Sequence, residues 1–278
     1  MKNKKPASAG FLLLWLGMKL LPELKKFYKE NKRDLPWRKT RDPYKILVSE
    51  VMLQQTQVER VLPKYKAFLR EFPSAKVLAG APLSKVLKQW QGLGYNRRGK
   101  FLHEAAKVIV KEGWGGKLPG VGPYTRAAIE AFAFNRATVF IETNIRTVFF
   151  YHAKSVRLSL TEKVADADLL PLVEGALKES KMEPRDFYAA LMDYGSHLKR
   201  SGIKINSQSK HYTKQKKFEG SERQIRGAIL REVLKKPQTL HALSKILKVE
   251  KEKAAQLLAR LVAEGLLKKE ESRYSVAD

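Results

Sequence analysis

Between residues 21 and 200 apolar side chains recur almost everywhere at helical spacing, and strand-like alternation is scarce. The periodic stretches are 21–31, 43–70, 83–90, 99–112, 123–134, 143–152, 161–180 and 185–200, and breaks such as "FPSAK", "GLGYN" and "WGGKLPGVGP" separate them. Helices joined by such short connections must bury their apolar stripes against one another, so the spacing predicts an all-α fold. No repeat of 20–50 residues is present, which sets aside a solenoid. At 278 residues the chain is long enough for one large domain or two smaller ones, each with its own core.

Near Gly202 the apolar rhythm stops, and "KINSQSKHYTKQKKFEGS" is polar and strongly basic. Helical patterning resumes in "SERQIRGAILREVLKK", which opens on a Ser cap, then in "TLHALSKILKV" and "EKEKAAQLLARLVAEGLL". "KKEESRYSVAD" has the composition of a short hairpin. Three helices and a wing describe a winged helix-turn-helix, and a plain three-helix interaction domain has a similar pattern. The expected division is an N-terminal extension over 1–17, a helical domain over 18–203, a basic linker over 204–220 and a small domain over 221–278.

Composition narrows the function. Lys and Arg number 55 against 28 Asp and Glu, a net charge of +27. Self-repulsion on that scale disfavours a compact state, and a polyanionic partner is the economical explanation. Nucleic acid fits best, because no basic amphipathic helix of the membrane-surface kind dominates the chain. The segment 204–220 then reads as a linker or as a strap that tracks DNA. Cysteine is absent, which excludes disulfides, zinc fingers and iron–sulfur clusters and accords with an intracellular, cytoplasmic and nucleoid-associated protein. The five histidines (His103, His152, His197, His211 and His241) lack metal-ligand spacing and are expected to be structural. The start, "MKNKKPASAGFLLLWLGMKLL", imitates a signal peptide, but its apolar run Phe11–Leu16 is short and no small-residue cleavage site precedes Pro22. Met18 is the more natural beginning, with residues 1–17 an extension that packs as a helix.

Two stretches carry chemistry. In "SEVMLQQTQV" a helix over 43–70 puts Glu50, Gln54 and Gln57 on one stripe, beside an apolar stripe of Val51, Val58, Leu62 and Tyr65. Such a polar stripe is either solvated or turned toward a polar ligand. In "LPGVGPYT", Gly120 and Gly122 leave backbone N–H groups open to close approach by a phosphate, and the helix that follows adds partial positive charge. That combination either grips a DNA backbone without reading its sequence or is a plain Pro-Gly turn.

The stretches "LPWRKTRDPYKILVSEVMLQQTQV", "QGLGYNRRGKFLHEAAKV", "LPGVGPYTRAAI", "IETNIRTV" and "FYAALMDYGS", in that order, resemble the MutY-type adenine DNA glycosylases. Those belong to the endonuclease-III-like helix-hairpin-helix superfamily, and the resemblance covers roughly residues 21–200. It implies a two-lobed helical glycosylase domain acting as a monomer on double-stranded DNA that holds a lesion or mismatch. It implies that Glu50 protonates the flipped base, that Gln54 and Gln55 brace the gap in the duplex, and that Tyr95 wedges into the base stack. Trp37 and Arg38 then line the purine pocket, and Asn144 positions the water or the sugar. Tyr124 stands where strand-cleaving relatives have lysine, so the resemblance implies hydrolysis without an imine intermediate. It implies no cofactor, and a monovalent cation at the hairpin is compatible with it.

The sequence departs from the family in five places. The family's catalytic aspartate, which stabilises the sugar cation, aligns with Glu142, one methylene longer. Its adenine-bonding Gln or Glu aligns with Ala189, and the four-cysteine cluster loop is missing. The helix before the hairpin is deleted, since "EGWGGK" runs straight into "LPGVG". The family's 8-oxoguanine-reading domain is replaced by the residues from 221 onward. The sequence therefore points to removal of adenine opposite 8-oxoguanine or guanine. The alternatives are removal of another damaged or mispaired base, such as a pyrimidine, and a catalytically degenerate DNA-binding protein.

Overall fold

A computed structural model describes residues 9–155, 163–213 and 217–278, with side chains from residue 18 onward except 154 and 155. In chain order the elements are α1 (Ala9–Asn31), a 3-10 turn (Pro36–Arg38), α2 (Pro43–Leu53), α3 (Val58–Glu71), α4 (Ala75–Gly80) and α5 (Leu83–Trp90). They continue as α6 (Arg97–Glu112), α7 (Pro123–Phe134), α8 (Thr143–Ser155), α9 (Asp166–Ser180), α10 (Pro184–Arg200) and a second 3-10 turn (Asn206–Gln208). The last are α11 (Glu222–Val233), β1 (Gln238–Thr239), α12 (Leu240–Leu247), α13 (Lys251–Ala263), β2 (Leu267–Glu270) and β3 (Arg273–Val276). Two compact units result, each discontinuous in sequence: Met1–Ile46 with Gly122–Lys214, and Leu47–Val121 with Gln215–Asp278. No helix among the described residues is long and apolar enough to cross a membrane.

The first unit is built from α1 and α7 to α10. Its core holds Leu20 and Leu24 of α1, Phe149 and Phe150 of α8 and Phe187 and Tyr188 of α10. Phe140 stacks on Tyr188 with ring centroids 3.9 Å apart. α8 and α10 approach so closely at Gly195 that an added Cβ would lie 2.2 Å from the Asn144 carbonyl oxygen, so only glycine fits. Residues 205–210 lie along this unit. Val164 N–H donates to Gln208 O (2.8 Å), Lys210 N–H donates to Val164 O (2.9 Å), and Asn206 Nδ2 donates to Thr147 Oγ1 (2.8 Å). Residues 161 and 162 of the helix expected over 161–180 lie outside the described residues, and α9 begins at Asp166.

In the second unit α3 to α6 enclose Tyr65, Phe68, Phe72, Leu78 and Trp90, all buried. The single helix expected over 43–70 is two helices. α2 ends at Leu53, and Gln55 takes a left-handed φ of 55° that stops the helical ladder. Gln57 is therefore the N-cap of α3 and not the third member of a stripe with Glu50 and Gln54. The apolar face of α3 is Val61, Tyr65 and Phe68. Residues 113–122 join α6 to α7 without a helix between them. From residue 217 onward, Ser221 Oγ caps α11 and Thr239 Oγ1 caps α12 by accepting N–H bonds three residues ahead. α13 buries Ala254, Leu257, Leu258 and Leu261, and β2–β3 form an antiparallel hairpin, with β1 pairing on the far side of β3.

Candidate active site

Glu142 immediately precedes α8 in the first unit. Its Oε1 accepts the backbone N–H bonds of Asn144 (2.7 Å) and Ile145 (3.1 Å), and its Oε2 accepts from Asn144 Nδ2 at 3.2 Å. The extra methylene lets the side chain fold back over the helix start, where the orphan N–H groups and the helix dipole favour an anion. Burial pushes the carboxyl above the usual carboxylate range, and Lys199 of α10 together with these three hydrogen bonds opposes that rise. Asn144 Nδ2 is committed to Glu142, and its Oδ1 is buried without a hydrogen-bond partner among the described residues. A buried amide oxygen with nothing to accept is costly, and a water or sugar hydroxyl would satisfy it. Tyr124, the second residue of α7, packs edge-on against Phe140 with ring centroids 5.6 Å apart. One turn beyond Glu142, on α8, Arg146 grips Asp166 through Nε–Oδ1 (2.6 Å) and Nη2–Oδ2 (2.5 Å) contacts, fixing the start of α9.

Trp37 is buried in the first 3-10 turn. Arg38, next to it, directs both terminal nitrogens inward: Nη1 donates to Asp193 Oδ2 (2.5 Å), and Nη2 donates to Asp193 Oδ1 (2.8 Å) and to the carbonyl of Ala189 (3.2 Å). Asp193 also accepts from the backbone N–H and the Nε of Arg33. Asp193 is only 1% exposed, so a single buried carboxylate joins the 33–38 segment to α10. Sequence reasoning passed over Asp193 and Gly195. A lone carboxylate on the apolar face of α10, within the quoted "FYAALMDYGS", was the available signal.

In the second unit Glu50 is 7% exposed on α2, among the buried Ser49, Val51 and Met52. Gln54 and Gln55 follow in the turn after α2, and Tyr95 sits in the Gly-rich turn before α6 with φ 46°. One guanidinium ties the two turns together. Arg98 Nη1 donates to the carbonyls of Val51 (2.7 Å), Met52 (3.2 Å) and Gln54 (2.5 Å), satisfying the C-terminal end of α2. Its Nη2 donates to Thr56 Oγ1 and to the carbonyls of Leu93 and Gly94 at 3.1, 3.1 and 3.2 Å. Burial pulls the Arg98 guanidinium down to about 10. The residues of these turns and the face of α11 line a cavity of about 390 Å³, which includes Gln54, Gln55, Tyr95, Arg97, Arg223 and Arg226.

The hairpin glycines differ in what requires them. Gly120, in the second unit, has φ 71°, and an added Cβ would meet Phe101 at 2.7 Å, so packing and backbone both demand glycine. Gly122, in the first unit, is the N-cap of α7 with an ordinary φ of −79° and open space where a Cβ would stand. Its lack of a side chain leaves the helix start open to close approach. Among the described residues no group of three or more His, Cys, Asp or Glu is arranged to hold a metal.

Residues 48–178 match the family model of the HhH-GPD superfamily base excision DNA repair protein. An adenine DNA glycosylase of Mycolicibacterium smegmatis is 34% identical over 233 residues, which cover 75% of this chain and 78% of that protein. The chain belongs to the MutY-type adenine DNA glycosylase family. The human adenine DNA glycosylase is 35% identical over 188 residues, 61% of this chain and about a third (34%) of the human protein. Among solved structures, a thermostable thymine-DNA glycosylase is 26% identical, with a TM-score of 0.55 over 70% of this chain and 96% of that one.

Proposed function

We propose that the protein hydrolyses the N-glycosidic bond of a mispaired base in double-stranded DNA, with adenine opposite 8-oxoguanine or guanine as its first substrate. The observation that carries this reading is the Glu142–Asn144 pair: a carboxylate held over the start of α8, beside a buried amide oxygen that lacks a partner. As the bond breaks, positive charge builds on the sugar, and an anion fixed in a dry site stabilises it. Glu142 takes that role. Asn144 Oδ1 accepts a hydrogen bond from the attacking water, the proton that water loses passes to the Glu142 carboxylate, and Asn144 Nδ2 keeps that carboxylate in place. Glu50, a buried carboxyl, supplies the proton that makes the base a leaving group. Gln54, Gln55 and Tyr95 fill and wedge the duplex, Trp37 and Arg38 shape the pocket wall, and Gly120 and Gly122 carry the backbone phosphate. Tyr124 offers no amine, so base release leaves an intact strand with an abasic site. The protein acts as a monomer, and residues 221–278 form a winged helix-turn-helix that adds non-specific grip on DNA, a reading supported by their three helices, the first two capped by Ser221 and Thr239, and by the terminal hairpin.

A second substrate class has its own support. Ala189 offers no polar group to adenine, and the thymine-DNA glycosylase likeness extends over nearly all of that protein. Removal of a mispaired pyrimidine is therefore the competing specificity. A base-release assay over duplexes holding A opposite 8-oxoguanine, A opposite G and T opposite G decides between them, with alkali added only after the reaction. The expected result is adenine release with strand breaks only after alkali. Release of thymine alone would assign the second class, and breaks without alkali would contradict simple hydrolysis.

A further inference from the structure

Tyr95 is held from the C-terminal part of its unit. The residue is 38% exposed and its backbone occupies the left-handed region, a conformation kept only where the surroundings determine it. The guanidinium of Arg98 lies 5.6 Å from the ring centroid, bound into the carbonyls of both turns, and that of Arg223 lies 5.3 Å from it. Arg223 Nη1 also donates a hydrogen bond to the Tyr95 hydroxyl. Both cations lie within the range at which a desolvated ring attracts them.

Arg223 is itself fixed. It stands in the first turn of α11, which is tied to the rest of the C-terminal part by the ion pairs Arg226–Glu264 and Arg260–Glu222 (2.9 Å) and by the buried Ile229 and Leu230. That part meets α5 and α6 at two further points. Ser84 N–H donates to Asp278 Oδ1 at 2.6 Å, and the Lys100 side chain runs 3.1 Å from where a Cβ would stand on Gly265.

We infer that Arg223 is a positioning residue for base extrusion: it fixes the orientation of the Tyr95 ring, so that the wedge enters the stack from one rotamer. The inference rests on the wedge role proposed above for Tyr95 and adds a residue from beyond the matched family region. A tyrosine swinging freely on a turn loses rotamer freedom on insertion, whereas one already held by its hydroxyl has lost that freedom beforehand. The C-terminal part thereby acts on the extrusion step as well as on backbone binding.

The hydroxyl makes the test clean, because Tyr95→Phe removes the Arg223 bond and keeps the stacking ring. Single-turnover base release at saturating protein, a rate independent of duplex affinity, is measured for full-length Tyr95→Phe, Arg223→Ala and the double variant. Each single substitution is expected to slow release by roughly 3- to 10-fold, and the double variant to be no slower than the slower single. Wild-type or faster release by Tyr95→Phe, or a double variant slowed by the product of the two singles, would overturn the inference. Tyr95→Ala separates the two levels. A slow Tyr95→Ala beside a wild-type Tyr95→Phe overturns the positioning role alone, whereas a wild-type Tyr95→Ala overturns the wedge reading with it.

Discussion

Glu142 shows how one methylene is absorbed. An aspartate at the start of a helix reaches the first free N–H groups directly, whereas the longer glutamate must curl back, and here it finds Asn144 and Ile145. These hydrogen bonds favour the anion in a site whose burial favours the neutral form and prevails. The sign of its pH dependence follows. With its folded value raised, the native site retains a proton that the unfolded chain has already released, so this group's contribution to stability falls as pH rises through that window. In the proposed mechanism activity runs the other way, because the sugar cation needs the anion and the rate is expected to climb as Glu142 loses its proton. The acid limb of the single-turnover pH profile is therefore expected above the ordinary carboxylate range. Lys199 pulls the Glu142 value down, so Lys199→Met should move that limb further up, slowing release at mildly acidic pH and restoring it as pH rises. A limb that stays in place in Lys199→Met would detach Glu142 from the rate.

At the scale of elements, the site depends on how closely α8 and α10 approach. Gly195 permits backbone contact at Asn144, and Asp193, two residues earlier, holds the 33–38 segment through Arg33 and Arg38. Gly195→Ala must push the two helices apart or bend one of them. It is expected to cost about 1–3 kcal/mol in urea denaturation and to slow base release, because Glu142 and Asn144 move with the start of α8. Unchanged stability and rate would show that the spacing does not govern the site. The same elements show what the sequence makes legible. α5 and α7 run as the apolar spacing and the Pro and Gly breaks predict, and the Ser221 cap announces α11. The break between α2 and α3 was not legible, because the cation that satisfies α2 is Arg98, 44 to 47 residues away. The pairing of Arg38 with Asp193 was hidden for the same reason, being 155 residues apart.

For the whole molecule, the net charge of +27 describes a protein adapted to a polyanion, and condensed counterions released from DNA supply much of its affinity. Charge alone names no reaction. The reaction class was legible because whole motifs survive in order, and Glu50 and Glu142 each sit in one of them. Arg98, Asp193, Gly195 and Arg223 acquire meaning only when distant segments meet in three dimensions. The proposed role of Glu50, a buried carboxyl on α2 that donates the proton freeing the base, is tested most directly by substituting its uncharged isostere. Single-turnover base release and lesion-duplex binding are measured side by side for Glu50→Gln. Binding close to wild type and release at least ~100-fold slower are expected. Release within roughly tenfold of wild type would fall below what a general acid contributes, and would assign the chemistry to another residue.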